Sequence, residues 1–194
     1  MPKNKPILIY ASCVAFVAAA AHLIRPTCPA TAAAEDSVVT DPRWGIVQNL
    51  DATKTPMGVQ FTATAKVGRH RVLQSFKSPA AGRYQISVDT RYVGTSHLAI
   101  EAGGPHQPYG LVEVNLKNGT IEKIKGDVAA GVDPVNAQPG QYHWWIEMPF
   151  NGGEADYNFA LLSAKGQADF PGSGICRVVL SNPSAVPVAN TQTK

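Results

Sequence analysis

The chain has 194 residues, of which 17 are Lys or Arg and 14 are Asp or Glu, for a formal net charge of +3. Three of the basic residues (Lys3, Lys5 and Arg25) and no acidic one fall within the first 34 positions, which leaves the rest of the chain without net charge. The apparent basicity therefore supplies no argument for a nucleic-acid partner.

From the N-terminus, Lys3 and Lys5 precede an apolar run over 7–24 (ILIYASCVAFVAAAAHLI), and a small-residue stretch ends at Thr31-Ala32-Ala33-Ala34. A basic head, an apolar middle and an A-x-A end predict a secretory signal cut after Ala34. The run is long for a signal and approaches the roughly 17–25 residues that span a bilayer, so retention as an anchor stays open. Under either outcome the remainder is delivered outside the cytoplasm, to the periplasm or beyond, and touches the membrane only through this segment if it is uncleaved. Cys13 lies inside the apolar run, and Cys28 lacks the aliphatic and small neighbours of a lipidation site. Cys176 is then the single cysteine beyond the leader, so no disulfide framework holds that part together. Its neighbours Ile175 and Val178 make it a small hydrophobe rather than a nucleophile.

Beyond residue 38, short runs of period-two character alternate with Gly, Pro, Asn and Asp, which predicts many strands and few helices. The predicted strands cover 44–48, 59–65, 70–76, 84–92, 97–101, 111–116, 120–124, 141–148, 158–164 and 176–181. Tyr84, Ile86 and Val88 alternate with Gln85, Ser87 and Asp89, as do Val112, Val114 and Leu116 with Glu113, Asn115 and Lys117, giving one buried and one solvated face. Asn118-Gly119 predicts a two-residue type I′ hairpin turn between 111–116 and 120–124. About ten strands without crosslinks favour two packed sheets, an antiparallel sandwich over 38–182. The Pro-punctuated polar residues 183–194 are expected to be a disordered tail.

The order of several motifs is informative. Pro56-Met57-Gly58-Val59-Gln60-Phe61 is followed by His70-Arg71-Val72-Leu73-Gln74-Ser75-Phe76 and then by Gly82-Arg83-Tyr84-Gln85-Ile86-Ser87-Val88. Asn118-Gly119-Thr120-Ile121 and the aromatic stretch from Gly140 to Pro149 complete the series. Over residues 40 to 181 this resembles the jelly-roll, carbohydrate-binding-module-like and galactose-binding-like domains of bacterial secreted proteins and phage fibres. The resemblance implies an all-β jelly roll, a polysaccharide or another cell-envelope component as partner, no catalytic cofactor, and the option of a structural calcium. It matches no set of calcium ligands here.

Within Gln141-Tyr142-His143-Trp144-Trp145-Ile146-Glu147, a strand places Tyr142, Trp144 and Ile146 on one face and His143, Trp145 and Glu147 on the other. If the first set joins the core, Trp145 stands on the surface between two hydrogen-bonding side chains. That arrangement suits a sugar, whose C–H bonds stack on the ring while polar neighbours take its hydroxyls. It equally suits a ring that covers a sheet edge or meets another chain. His106 and Tyr109, in the Gly/Pro loop Gly103-Gly104-Pro105-His106-Gln107-Pro108-Tyr109, are further candidate contacts. The loop Asn151-Gly152-Gly153-Glu154-Ala155-Asp156 offers carboxylates and carbonyls but lacks the alternating acidic pattern of a calcium loop. The histidines show no zinc spacing, and no nucleophile elbow, phosphate loop or dinucleotide fingerprint is present. The expectation is a non-catalytic binding domain. The alternatives are a structural or adhesin-like subunit and a hydrolase using Glu147 or Asp156.

Overall fold

The computed structural model describes residues 44–95, 97–135, 139–163 and 166–189. The leader expected at 1–34 lies outside them. In chain order the strands are β1 (Ile46–Gln48), β2 (Leu50–Thr55), β3 (Gly58–Ala63), β4 (Val67–Ser78), β5 (Gly82–Tyr92), β6 (His97–Gly103) and β7 (Gly110–Asn115). They continue as β8 (Thr120–Lys125), β9 (Ala129–Pro134), β10 (Gln141–Phe150), β11 (Gly153–Leu162), β12 (Asp169–Pro171) and β13 (Arg177–Pro187). Among the described residues there is no helix.

The strands form two sheets in which every pairing is antiparallel, as the alternating sequence predicts. One runs β1-β4-β11-β6-β7-β8 with β12 attached to β4, and the other runs β2-β3-β13-β5-β10-β9. The expected sandwich is what the chain forms.

Its core comes from the apolar half of each alternation. In β5 the buried set is Tyr84, Ile86 and Val88, and in β10 it is Trp144, Ile146 and Met148. Trp44 bridges the two sheets, with its ring centroid 5.2 Å from Phe61 of β3 and 6.3 Å from Phe159 of β11. Both contacts are edge-on at 75°, the arrangement an aromatic quadrupole favours. Trp144 is 1% exposed, and its indole N–H donates to Thr90 Oγ1 at 2.8 Å, which meets the one polar demand of that side chain. Cys176 is partly buried against this core and has no disulfide partner among the described residues.

Three local expectations need correction. Strands β2, β9 and β12 were not foreseen. Leu-Asp-Ala-Thr-Lys-Thr and Ala-Ala-Gly-Val-Asp-Pro carry little apolar alternation, because β2 and β9 are the outermost strands of their sheet. The Asn118-Gly119 hairpin pairs β7 with β8, but its loop is the four residues Leu116-Lys117-Asn118-Gly119 rather than two. It closes with the Gly119 N–H donating to the Asn115 carbonyl at 3.0 Å. Only Gly119 takes positive φ, since Leu116 turns back into the core.

The tail expected to be disordered from 183 is also ordered to Pro187. After a bulge between Ser181 and Ser184, β13 resumes its pairing with β5 from Ser184↔Ser87 to Pro187↔Tyr84. Asn182, at φ 50°, and Pro183 occupy the bulge, where an αL residue and a missing N–H do least damage. Residues 190–194 lie outside the described residues.

Two outcomes follow. Trp144→Ala is expected to cost about 3–5 kcal/mol of stability in urea unfolding, and Trp145→Ala about 1 kcal/mol or less, although the two residues are adjacent. Burial pushes the Tyr157 phenol from 10.0 up to about 12. The protonated phenol is the form favoured by the fold, so its contribution is complete below the ordinary pKa of about 10 and is lost as pH rises through 12. The melting temperature should hold to about pH 10 and then fall, and Tyr157→Phe should flatten that fall.

Candidate ligand-binding site

The outward half of the β5 and β10 alternation builds a polar surface around one indole. In the ladder, Trp145 stands opposite Ser87 of β5 on one side and Gly131 of β9 on the other. A Cβ added to Gly131 would fall under 3.0 Å from Cζ2, Cε2 and Nε1 of Trp145. Those three atoms lie along the N–H side of the indole, so the ring packs over Gly131 of β9. Trp145 is partly buried on this outward side of β10. Glycine is the residue that permits this approach.

His143 and Glu147 flank Trp145 along the same face of β10, each held by a partner. Asp89 of β5, directly opposite His143, accepts from His143 Nδ1 at 2.6 Å through Oδ1 and from Asn182 Nδ2 at 2.7 Å through Oδ2. The carboxylate thereby fixes the orientation of the partly exposed imidazole. Arg83 donates through Nε to Glu147 Oε1 at 2.6 Å and through NH2 to the Glu147 carbonyl at 3.2 Å. It also pairs with Asp127 at 3.3 Å. The Glu147 hydrogen bond is the largest cause raising the guanidinium pKa above its ordinary value. Between Trp145 and the β13 bulge, Ser87 and Ser184 share a hydroxyl–hydroxyl bond of 2.8 Å and keep the floor low.

The surface thus offers a partly exposed indole with an imidazole, carboxylate oxygens and a guanidinium around it. Sequence reasoning placed His143, Trp145 and Glu147 correctly on the outward side of β10. It missed Gly131, Asp89, Arg83 and Asn182, which hold the three in place. Only the cross-strand register reveals them.

His106 and Tyr109 do not join this surface. Their loop connects β6 and β7 in the other sheet. His106, at φ 65°, offers its carbonyl to Asn151 Nδ2 at 2.6 Å. Gln107 donates to the Gly152 and Glu154 carbonyls, so the two loops brace one another. Tyr109 is 54% exposed and packs against Gly103. Its phenol pKa is raised first by partial burial and then by the Glu101 carboxylate. Glu101 itself is buried, with Arg69 bonded to both carboxylate oxygens at 2.9 and 3.3 Å and Asn158 Nδ2 at 3.2 Å.

The 151–156 loop, considered for calcium, uses its side chains elsewhere. Asn151 is bonded to His106, and Asp156 accepts from Ser75 Oγ at 2.6 Å. Among the described residues no three His, Cys, Asp or Glu side chains converge as metal ligands. Glu147 and Asp156 belong to different sheets and point outward from each, so they cannot face one glycosidic bond at the roughly 5–10 Å that a carboxylate pair requires.

Gly131→Ala should displace the indole. A shifted Trp145 fluorescence maximum, with an unfolding midpoint changed by about 1 kcal/mol or less, is the expected result. An unchanged spectrum would show that the ring does not rest on Gly131.

No family model and no curated protein matches the chain. Among solved structures, it is similar to a family 35 carbohydrate-binding module from an environmental isolate, at 18% identity and a TM-score of 0.32, over 75% of this chain and 88% of that one. It is also similar to the family 35 module of Cellvibrio japonicus Abf62, at 10% identity and a TM-score of 0.36, over 74% of this chain and 86% of that one.

Proposed function

We propose that this domain binds carbohydrate without catalysis, on the outward face of the β5–β10–β9 part of its sheet. The observation that carries the reading is the partly exposed Trp145 indole packed over Gly131 on the outward side of β10. Sugar rings present patches of C–H bonds that pack on such a face, and the ring's electron-rich surface favours that contact over water. Hydroxyls at the ring's rim need donors and acceptors at fixed positions, and His143 Nε2, Glu147 and Arg83 supply them. Because Asp89 and Arg83 already fix two of these side chains, little rotamer freedom remains to be lost on binding. The basic, apolar and small-residue leader supports export, and an exported domain would meet envelope or extracellular polysaccharides.

The test is a panel of soluble polysaccharides in affinity electrophoresis, with binding constants then measured for those that retard the protein. Trp145→Ala should abolish retardation while the fold is retained. His143→Ala and Glu147→Ala should each weaken binding by roughly tenfold, about 1.4 kcal/mol. Retardation unchanged in Trp145→Ala would refute the reading.

A further inference from the structure

Trp145 occupies one end of a longer feature. At the bulge of β13, the chain leaves β3 behind, because the last β3 partner is Val59, opposite Leu180. Beyond Leu180 that side of β13 has no neighbouring strand among the described residues, and the β2–β3 hairpin stands beside the gap. The result is a groove of about 430 Å³ whose walls include Thr55, Met57, Ser181 and Asn182. Asn182 adopts positive φ there, and its amide donates to Asp89 Oδ2.

The groove and the indole are joined by side chains in cross-strand register. Ser181 stands opposite Asp89, and Asp89 opposite His143. One row along, Ser184 stands opposite Ser87, Ser87 opposite Trp145, and Trp145 opposite Gly131. The path from Asn182 to the ring over Gly131 thus crosses from β13 through β5 and β10 to β9. That is three inter-strand spacings, about 14 Å, several times the width of one sugar ring. The floor along it is low, since Ser87 is buried and bonded to Ser184. The wall along it is polar, formed by Asn182, Asp89 and His143 in one hydrogen-bonded line.

We infer that this face holds an extended chain of sugar units laid across the strands, with one unit on Trp145 and another in the groove between the β2–β3 hairpin and the β13 bulge. The inference rests on the carbohydrate reading of the Trp145 face and adds to it a second subsite and a preference for chain interiors over single rings. Two linked contacts strengthen binding because the second is made at high effective concentration once the first is in place. Affinity should therefore climb with chain length until both ends of the path are filled.

The experiment uses β-1,4-linked cello-, xylo- and manno-oligosaccharides of one to six units, titrated calorimetrically into the full chain. Affinity should rise roughly tenfold or more between two and four units and then level. Met57→Ala should cut binding of the four-unit chain to the level of the two-unit chain and leave one- and two-unit binding unchanged. Trp145→Ala should lose all lengths. Affinity independent of length, with Trp145→Ala still inactive, would overturn the second subsite and spare the carbohydrate reading. Binding that survives Trp145→Ala, or no binding by any series, would overturn both.

Discussion

The arrangement depends on the register of β10 between β5 and β9. That register sets Trp144 against Val88 and Val132 on the core side and Trp145 between Ser87 and Gly131 on the outer side. A slip of one residue would exchange the two indoles. It would put His143 and Glu147 into the interior, where uncompensated charge is costly, and bring Trp144 out. The apolar demand of the core therefore orients the polar face as well, and the candidate site needs no dedicated loop to carry it. Ladder hydrogen bonds on both sides of β10 make the platform as rigid as the core itself.

Electrostatics complete what the register begins. Arg83, Asp127 and Glu147 form one group, while His143, Asp89 and Asn182 form another, and Trp145 lies between them. Partly exposed pairs of this kind add little stability, typically about 0–1 kcal/mol. Their contribution is geometric: each long or rotatable side chain on the rim is held at one position. On the other sheet the Arg69–Glu101–Asn158 group is more deeply buried, and Asn158 Oδ1 has no hydrogen-bond partner among the described residues. That group braces the strands below Tyr109 and is not continuous with the indole surface.

What could be read from the sequence follows from the range of the interactions involved. The period-two pattern in 84–88 and 142–147 is local and strong, so the burial of Tyr84, Ile86, Val88, Trp144 and Ile146 was legible. So was the outward placement of His143, Trp145 and Glu147. The outermost strands β2 and β9 carry little alternation because one of their edges is unpaired, and nothing local marks them. The Asn182-Pro183 pair reads as a break, yet it forms a bulge because the β5 partner recovers the strand two residues later. Gly131 looks like an unremarkable residue of a loop until the ladder sets it under Trp145, fourteen positions away. The partners Arg83 and Asp89 likewise lie some 60 and 50 residues from the groups they hold.

The second half of β13 has a consequence for the company the protein keeps. The Val188 N–H donates to the Arg83 carbonyl, so by alternation the nitrogen of Pro187 faces the side where no strand lies. Proline has no hydrogen to offer there, and Pro183 interrupts the same border one step into the bulge. A foreign strand seeking to extend the sheet there finds no donor at Pro187, a gap in the ladder that lowers what such an addition could gain along this border.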